Sequence, residues 1–186
     1  MSKAVVSALI AAIFGISACS SNDKESRERN PAPCPNVIAL GDASRVIEFA
    51  GEDQTLDNIA YTGEIVNVTS VCRYFGDNPI DASVEVELAF GKGPKGENGE
   101  KYFKYFVAVT RTDLEVIAKE NFVVPVDFSD KRRIVVKVED IDKIGIPRAT
   151  EQISGSNFEI IVGFALTPQQ AIFNRSGKSL KFPELQ

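Results

Sequence analysis

Between Cys34 and Leu166 several segments repeat apolar residues at close to every second position, and this period constrains the fold more than any other feature of the chain. Val84, Val86, Leu88 and Phe90 alternate with Ser83, Glu85, Glu87 and Ala89. Successive side chains of an extended segment point to opposite faces, so such a row marks a strand with one face in a core. Ile134, Val136 and Val138 alternate in the same way with Arg133, Val135, Lys137 and Glu139, and are read as a second buried face. Phe158, Ile160, Val162, Phe164 and Leu166 form a third row. Their opposite set, Glu159, Ile161, Gly163 and Ala165, is also largely apolar, which predicts a central strand.

Residues 102–109 are aromatic-rich and nearly continuous, as expected of a strand covered on both sides. Residues 61–74 place Ile65, Val66, Val68, Val71 and Cys72 in a β-branched context, and residues 114–118 and 122–128 supply two short strands, Pro125 marking an edge or a bulge. Turns such as Gly76-Asp77-Asn78-Pro79 separate these segments. The expected fold is all-β, an immunoglobulin/fibronectin-like antiparallel β-sandwich of about seven or eight strands. Residues 36–49 suit either two strands or a short helix. Thr167 as N-cap, Pro168 in the first turn and Gln170 at the capping-box position open a short C-terminal helix running through about Phe173. The sandwich domain is placed at 34–174. A polar tail, 175–186, is expected to fray, with Leu180 and Phe182 available to tuck against the sheet.

The first residues belong to a different regime. Lys3 is a basic lead, and residues 4–14 are an uncharged apolar run of about a dozen, within the secretory range and short of the roughly 20 that span a bilayer. Gly15 loosens a helix, and Ser17 and Ala18 are small enough for a peptidase cleft. Ile16-Ser17-Ala18-Cys19, closing that run and followed by a polar tract, resembles the lipobox of bacterial lipoproteins cut by signal peptidase II. The resemblance implies a signal peptide at 1–18, a diacylglycerol thioether at Cys19 and an acylated amine on the same residue. Three acyl chains hold a protein on a membrane almost permanently, because each buried methylene adds about 0.8 kcal/mol. Ser20, in place of Asp, resembles the class sent to the outer membrane, so the expected address is the periplasmic face of that membrane, with surface exposure and inner-membrane retention both left open. Residues 19–33 alternate charges without apolar periodicity and are expected to form a lipidated flexible tether, with a coil span of about 20 Å.

With Cys19 lipidated, Cys34 and Cys72 remain as one pair in an oxidising compartment, and a disulfide between them is expected. Closing that loop of about 39 residues contributes roughly 4 kcal/mol on the chain-entropy model. The formal charge of −5 becomes −6 when the single charge of Lys3 is removed, which argues against nucleic acid and against docking on anionic lipid. A second resemblance follows the spread of Cys34-Pro35, Cys72-Arg73-Tyr74, Phe106-Val107-Ala108-Val109, Ile146-Pro147, Gly163-Phe164-Ala165-Leu166-Thr167-Pro168-Gln169-Gln170 and Asn174-Arg175. It is similar to a group of small uncharacterised Gram-negative envelope lipoproteins, which implies the fold and the address but no mechanism.

The remaining motifs favour plain structural roles. The glycine-rich residues 91–99 lack the closing Gly-Lys-Ser/Thr of a phosphate loop and precede a strand, so they are read as a mobile hairpin loop open to partner contact. Glu52, Asp53 and Asp57, and Glu139, Asp140 and Asp142, match no calcium loop, and no metal or other cofactor is assigned. Lys131-Arg132-Arg133 is read as a solvated turn, and Asn67-Val68-Thr69 as part of a ladder. Histidine is absent, which removes the commonest general base and the usual nucleophile systems. Ser176-Gly177-Lys178-Ser179 offers nothing to lower a lysine pKa. No catalytic residue is assigned, and the expected function is a non-catalytic module, anchored to the membrane through Cys19, that binds or scaffolds an envelope protein. The alternative is a module for peptidoglycan, glycan or lipid, with Tyr102, Phe103, Tyr105 and Phe106 as stacking surfaces.

Overall fold

The computed structural model describes residues 33–76 and 78–181. The signal segment, Cys19, the tether up to residue 32 and Phe182 lie outside them. Among the described residues, eight strands form a sandwich of two four-stranded sheets. They are β1 (Asn36–Ala39), β2 (Arg45–Phe49), β3 (Ile59–Arg73), β4 (Ile80–Lys92), β5 (Gly99–Arg111), β6 (Val116–Phe128), β7 (Ile134–Ile146) and β8 (Phe158–Phe164), followed by the helix α1 (Pro168–Arg175). One sheet has the order β1-β8-β5-β6 and the other β2-β3-β4-β7. Hairpins join β3 to β4 and β5 to β6, and the later strands β7 and β8 return to β4 and β5 as in a Greek key. β1 runs parallel to β8, whereas the other pairings are antiparallel. Residues 36–49 therefore resolve into two strands in different sheets, joined through a short 3-10 turn at Gly41–Ala43.

The core lies between the sheets. Val84, Val86, Leu88 and Phe90 point into it from β4 and Phe158, Ile160, Val162 and Phe164 from β8, each almost wholly buried, as their alternation predicts. Phe90 meets Phe103 at 4.4 Å between centroids and Phe164 at 6.2 Å edge-on. Each large side chain so buried contributes about 1.5–3 kcal/mol.

Three expectations about the strands and their connections change. Residues 114–118 and 122–128 are not two strands: β6 is continuous from Val116, and Leu114 sits in the preceding turn with a left-handed φ of 71°. On β7 the buried face is the opposite of the one expected. Register with β4 sets Val135 beside Phe90, Lys137 beside Leu88 and Glu139 beside Val86, so these three face the core side. Ile134, Val136 and Val138 point outward and are 53%, 54% and 55% exposed. A one-residue bulge is responsible: β7 sets Asp142 and Lys143 against Ser83 alone, so the inward row 135-137-139-141 becomes 144-146 beyond it. The even-numbered apolar residues of one strand thus fall on two faces.

The third change concerns residues 91–99. They cross from one sheet to the other rather than closing a hairpin, and they are pinned to β3. Gly93 N–H donates to the Ala60 carbonyl (2.9 Å) and Lys95 N–H to that of Ile59 (2.9 Å). The Tyr61 hydroxyl accepts from Glu97 N–H (3.0 Å) and donates to its carbonyl (3.2 Å). A Cβ on Gly93 would meet the Ile59 oxygen at 2.3 Å and one on Gly96 the Ala60 oxygen at 2.4 Å. Close backbone approach, not a ligand, accounts for these glycines.

At the C-terminal end the capping box forms as expected: Thr167 Oγ1 accepts from Gln170 N–H, and Gln170 Oε1 accepts from Thr167 N–H at 2.8 Å. Asn174 then ties α1 to the carbonyls of Asp42 and Arg45, both at 2.8 Å. Beyond the helix, Ser179 is buried, so the tail is seated at least that far, whereas Leu180 is 78% exposed and does not tuck in.

Candidate functional site

Among the described residues the edge strands β6 and β7 leave an opening between the two sheets. Positions 118 and 120 of β6 face the interior by register with Val109 and Val107, yet they hold Ala and Glu and are exposed. Small and charged residues there do not seal the sandwich. A groove of about 320 Å³ results, floored by Val107, Phe122, Ile141 and Ile144. Glu120, Asp142 and Lys143 rim it. Lys119 turns its ammonium to the outer face instead, 4.1 Å from the Phe106 ring centroid. Lys143 is the bulge residue, held at a φ of 62°. A left-handed non-glycine residue costs on the order of 1–3 kcal/mol, and such strain persists where surrounding structure enforces it. The groove's size lies at the low end of the range of small-ligand sites.

The four aromatics proposed as stacking surfaces divide between faces, as strand alternation requires. Phe103 and Tyr105 are core residues, 2% and 1% exposed. Tyr105 stacks on Phe122 at 5.2 Å. Burial, aided by the negative charge of Glu139, pushes its phenol well above the ordinary value of 10.0, so it stays protonated and offers neither a base nor a nucleophile. Tyr102 and Phe106 take the outer face. Tyr102 is 57% exposed, and its hydroxyl donates to the Glu100 carboxylate, which raises its pKa. Phe106 lies over Gly163, where an added Cβ would come within 2.8 Å of its ring.

Cys34 and Cys72 are disulfide-bonded, with Cα atoms 5.6 Å apart. The bridge ties the segment ahead of β1 to β3 in the other sheet. Tyr74 clasps the same place: its hydroxyl donates to the Pro33 carbonyl (2.7 Å) and accepts from Gly155 N–H (2.8 Å). Arg148 packs over the Tyr74 ring at 5.1 Å while donating to the carbonyls of Asn78 (2.9 Å), Gly76 and Glu151 (3.1 Å).

Acidic residues do not converge: Glu139 faces the core, Asp140 pairs with Glu85 on the outer face, and no group of three potential metal ligands gathers among the described residues. Arg132 of the basic run pairs with Asp127 at 3.3 Å, and Arg133 donates to the Lys92 carbonyl. Ser176 caps α1, its Oγ donating to the Phe173 carbonyl at 2.8 Å. The groove escaped the sequence reading. Its one local signal is the polar run Ala118-Lys119-Glu120-Asn121 inside an otherwise apolar strand.

No family model matches the chain, and no curated protein matches it. Among solved structures, a β-glucuronidase from glycoside hydrolase family 2 aligns over 42% of this chain at 18% identity with a TM-score of 0.27. The aligned part spans 8% of that chain's length, a likeness too slight to bear on fold or activity.

Proposed function

We propose that this chain is a lipid-anchored, non-catalytic module of the outer membrane, facing the periplasm, whose open β6/β7 side holds another envelope protein. The groove carries the reading: an apolar floor, a charged rim and an edge of β6 that pairs with no other strand among the described residues lie together, the combination by which an extended segment is bound through backbone pairing and side-chain pockets. Upstream of Pro125 that edge retains its N–H groups. The anchor rests on cysteine arithmetic. The Cys34–Cys72 bridge uses two of three cysteines and leaves Cys19, at the end of the apolar leader, for the lipid. A glycan- or lipid-binding role ranks second, supported by the exposed Tyr102 but weakened by the burial of Phe103 and Tyr105.

A photo-crosslinking residue at Glu120 or Lys143 in intact cells tests this. The expected result is a covalent adduct with a second envelope protein that is lacking when the probe replaces Asp53, on the connection between β2 and β3. Equal labelling at all three positions, or adducts solely at twice the mass of this chain, overturns the reading. Labelled palmitate should enter the wild type and not Cys19→Ser; incorporation into neither refutes the anchor.

A further inference from the structure

We infer that β7 is a self-complementary edge, across which a second copy of this chain pairs its own β7 in antiparallel fashion with Val138 on the two-fold axis. Among the described residues β7 has β4 on one side and no strand on the other. Its register with β4 is regular over residues 134–141 and is broken by the bulge at Asp142 and Lys143. Val138 lies near the middle of the regular stretch.

The argument is charge complementarity. Lys137 and Glu139 face the core side of the sheet, next to Leu88 and Val86, which are wholly buried. Both charged side chains remain partly exposed at the open edge, where an opposite charge on a facing strand can pair with each. In an antiparallel pair about a two-fold axis through Val138, Lys137 of one copy stands opposite Glu139 of the other, twice. On the same face Val135 stands opposite Ile141, and on the outer face Val138 meets its own copy, extending the exposed apolar row. Val136 opposite Asp140 is a mismatch, as is Ile134 opposite Asp142, where the bulge ends the regular stretch. Shifting the axis to Lys137 or to Glu139 sets like charges face to face, and shifting it to Val136 sets Lys137 against Val135. Opposite-charge pairs across strands stabilise and like pairs destabilise, so one register is selected. The same inward charges guard the free edge against strands lacking the matching pattern. β6 carries no such pattern, and Pro125 interrupts it. This inference concerns β7 alone and stands whether or not the groove holds a partner.

Cysteine crosslinking of the full-length protein in its native membrane tests the register. Residues facing each other across an antiparallel pair have Cα atoms about 4.5–5.5 Å apart, within disulfide reach. Val138→Cys should therefore give a disulfide-linked dimer on mild oxidation. Val136→Cys, equally exposed, sits two residues off the axis, so its two copies are roughly 14 Å apart and should not crosslink. Adding Lys137→Glu to Val138→Cys should lower the dimer yield about tenfold, equivalent to roughly 1.4 kcal/mol, and adding Glu139→Lys to that variant should restore it. Protease resistance of the domain identifies folded chain in each case, and the charge swap supplies the readout if Lys137→Glu alone misfolds. No dimer from Val138→Cys above Val136→Cys overturns the inference. So does a dimer insensitive to Lys137→Glu in folded protein, or a folded charge-swapped variant that stays monomeric.

Discussion

Tyr105 illustrates how one side chain changes meaning between a list of aromatics and a packed interior. Its ring is core, its face lies on Phe122, and its phenol shares the inter-sheet space with the Glu139 carboxylate. Both burial and that charge favour the neutral form. The folded pKa therefore lies above 10.0, and the native state keeps a proton that the unfolded chain releases. Stability from this group is fully present below about pH 10 and is lost as pH rises through and beyond that value. Urea midpoints compared at pH 9 and pH 11 should fall on the alkaline side in the wild type, with a smaller fall in Tyr105→Phe. Equal falls in the two proteins would show that another group governs alkaline unfolding. Gly93 and Gly96 make the same point for backbone: what looks like loop flexibility is the space that the Ile59 and Ala60 carbonyls need.

Among the elements, α1 separates local from tertiary stabilisation. Its capping box is complete, yet eight residues are too few for an isolated helix to persist in water. What holds it is Phe173, 6% exposed, packed with Ile47 and Ile59 and edge-on to Phe49 at 5.6 Å. Thr167→Ala should cost about 1 kcal/mol and fray the first turn. Phe173→Ala should cost about 3 kcal/mol and release the whole helix from β2. Hydrogen exchange at residues 171–176 distinguishes them, since only the second change should leave all these amides unprotected. Comparable exchange in both variants would mean that the cap, not the packing, carries the helix.

For the whole molecule the controlling link is the Cys34–Cys72 bridge, with a sequence separation of 38. It joins the two sheets at the point where the chain enters the sandwich, and the Tyr74 and Arg148 contacts reinforce the same end. Replacing both cysteines with Ser should lower unfolding free energy by about 4 kcal/mol, read from urea unfolding, with the native fold retained in the absence of denaturant. A loss below about 1 kcal/mol would mean that the clasp around Tyr74 restrains the unfolding chain's release without the covalent bond. On the proposed anchor, this end is also where any pull from the membrane reaches the domain.

Local periodicity, turn chemistry and cysteine count determined much by themselves: an all-β sandwich, the inward rows of β4 and β8, the capping box of α1 and the partners of the disulfide. These follow from interactions between near neighbours or from simple exclusion, so they are legible in one dimension. Which face of β7 is buried, the continuity of β6, the pinning of residues 91–99 and the groove between the edge strands were decided by tertiary structure alone. Alternation establishes that a segment is extended, but the register against its neighbour chooses the face, and a single bulged residue reverses that choice. The rows on β7 were therefore visible in the sequence while their direction was not, because direction belongs to the pair of strands rather than to either one.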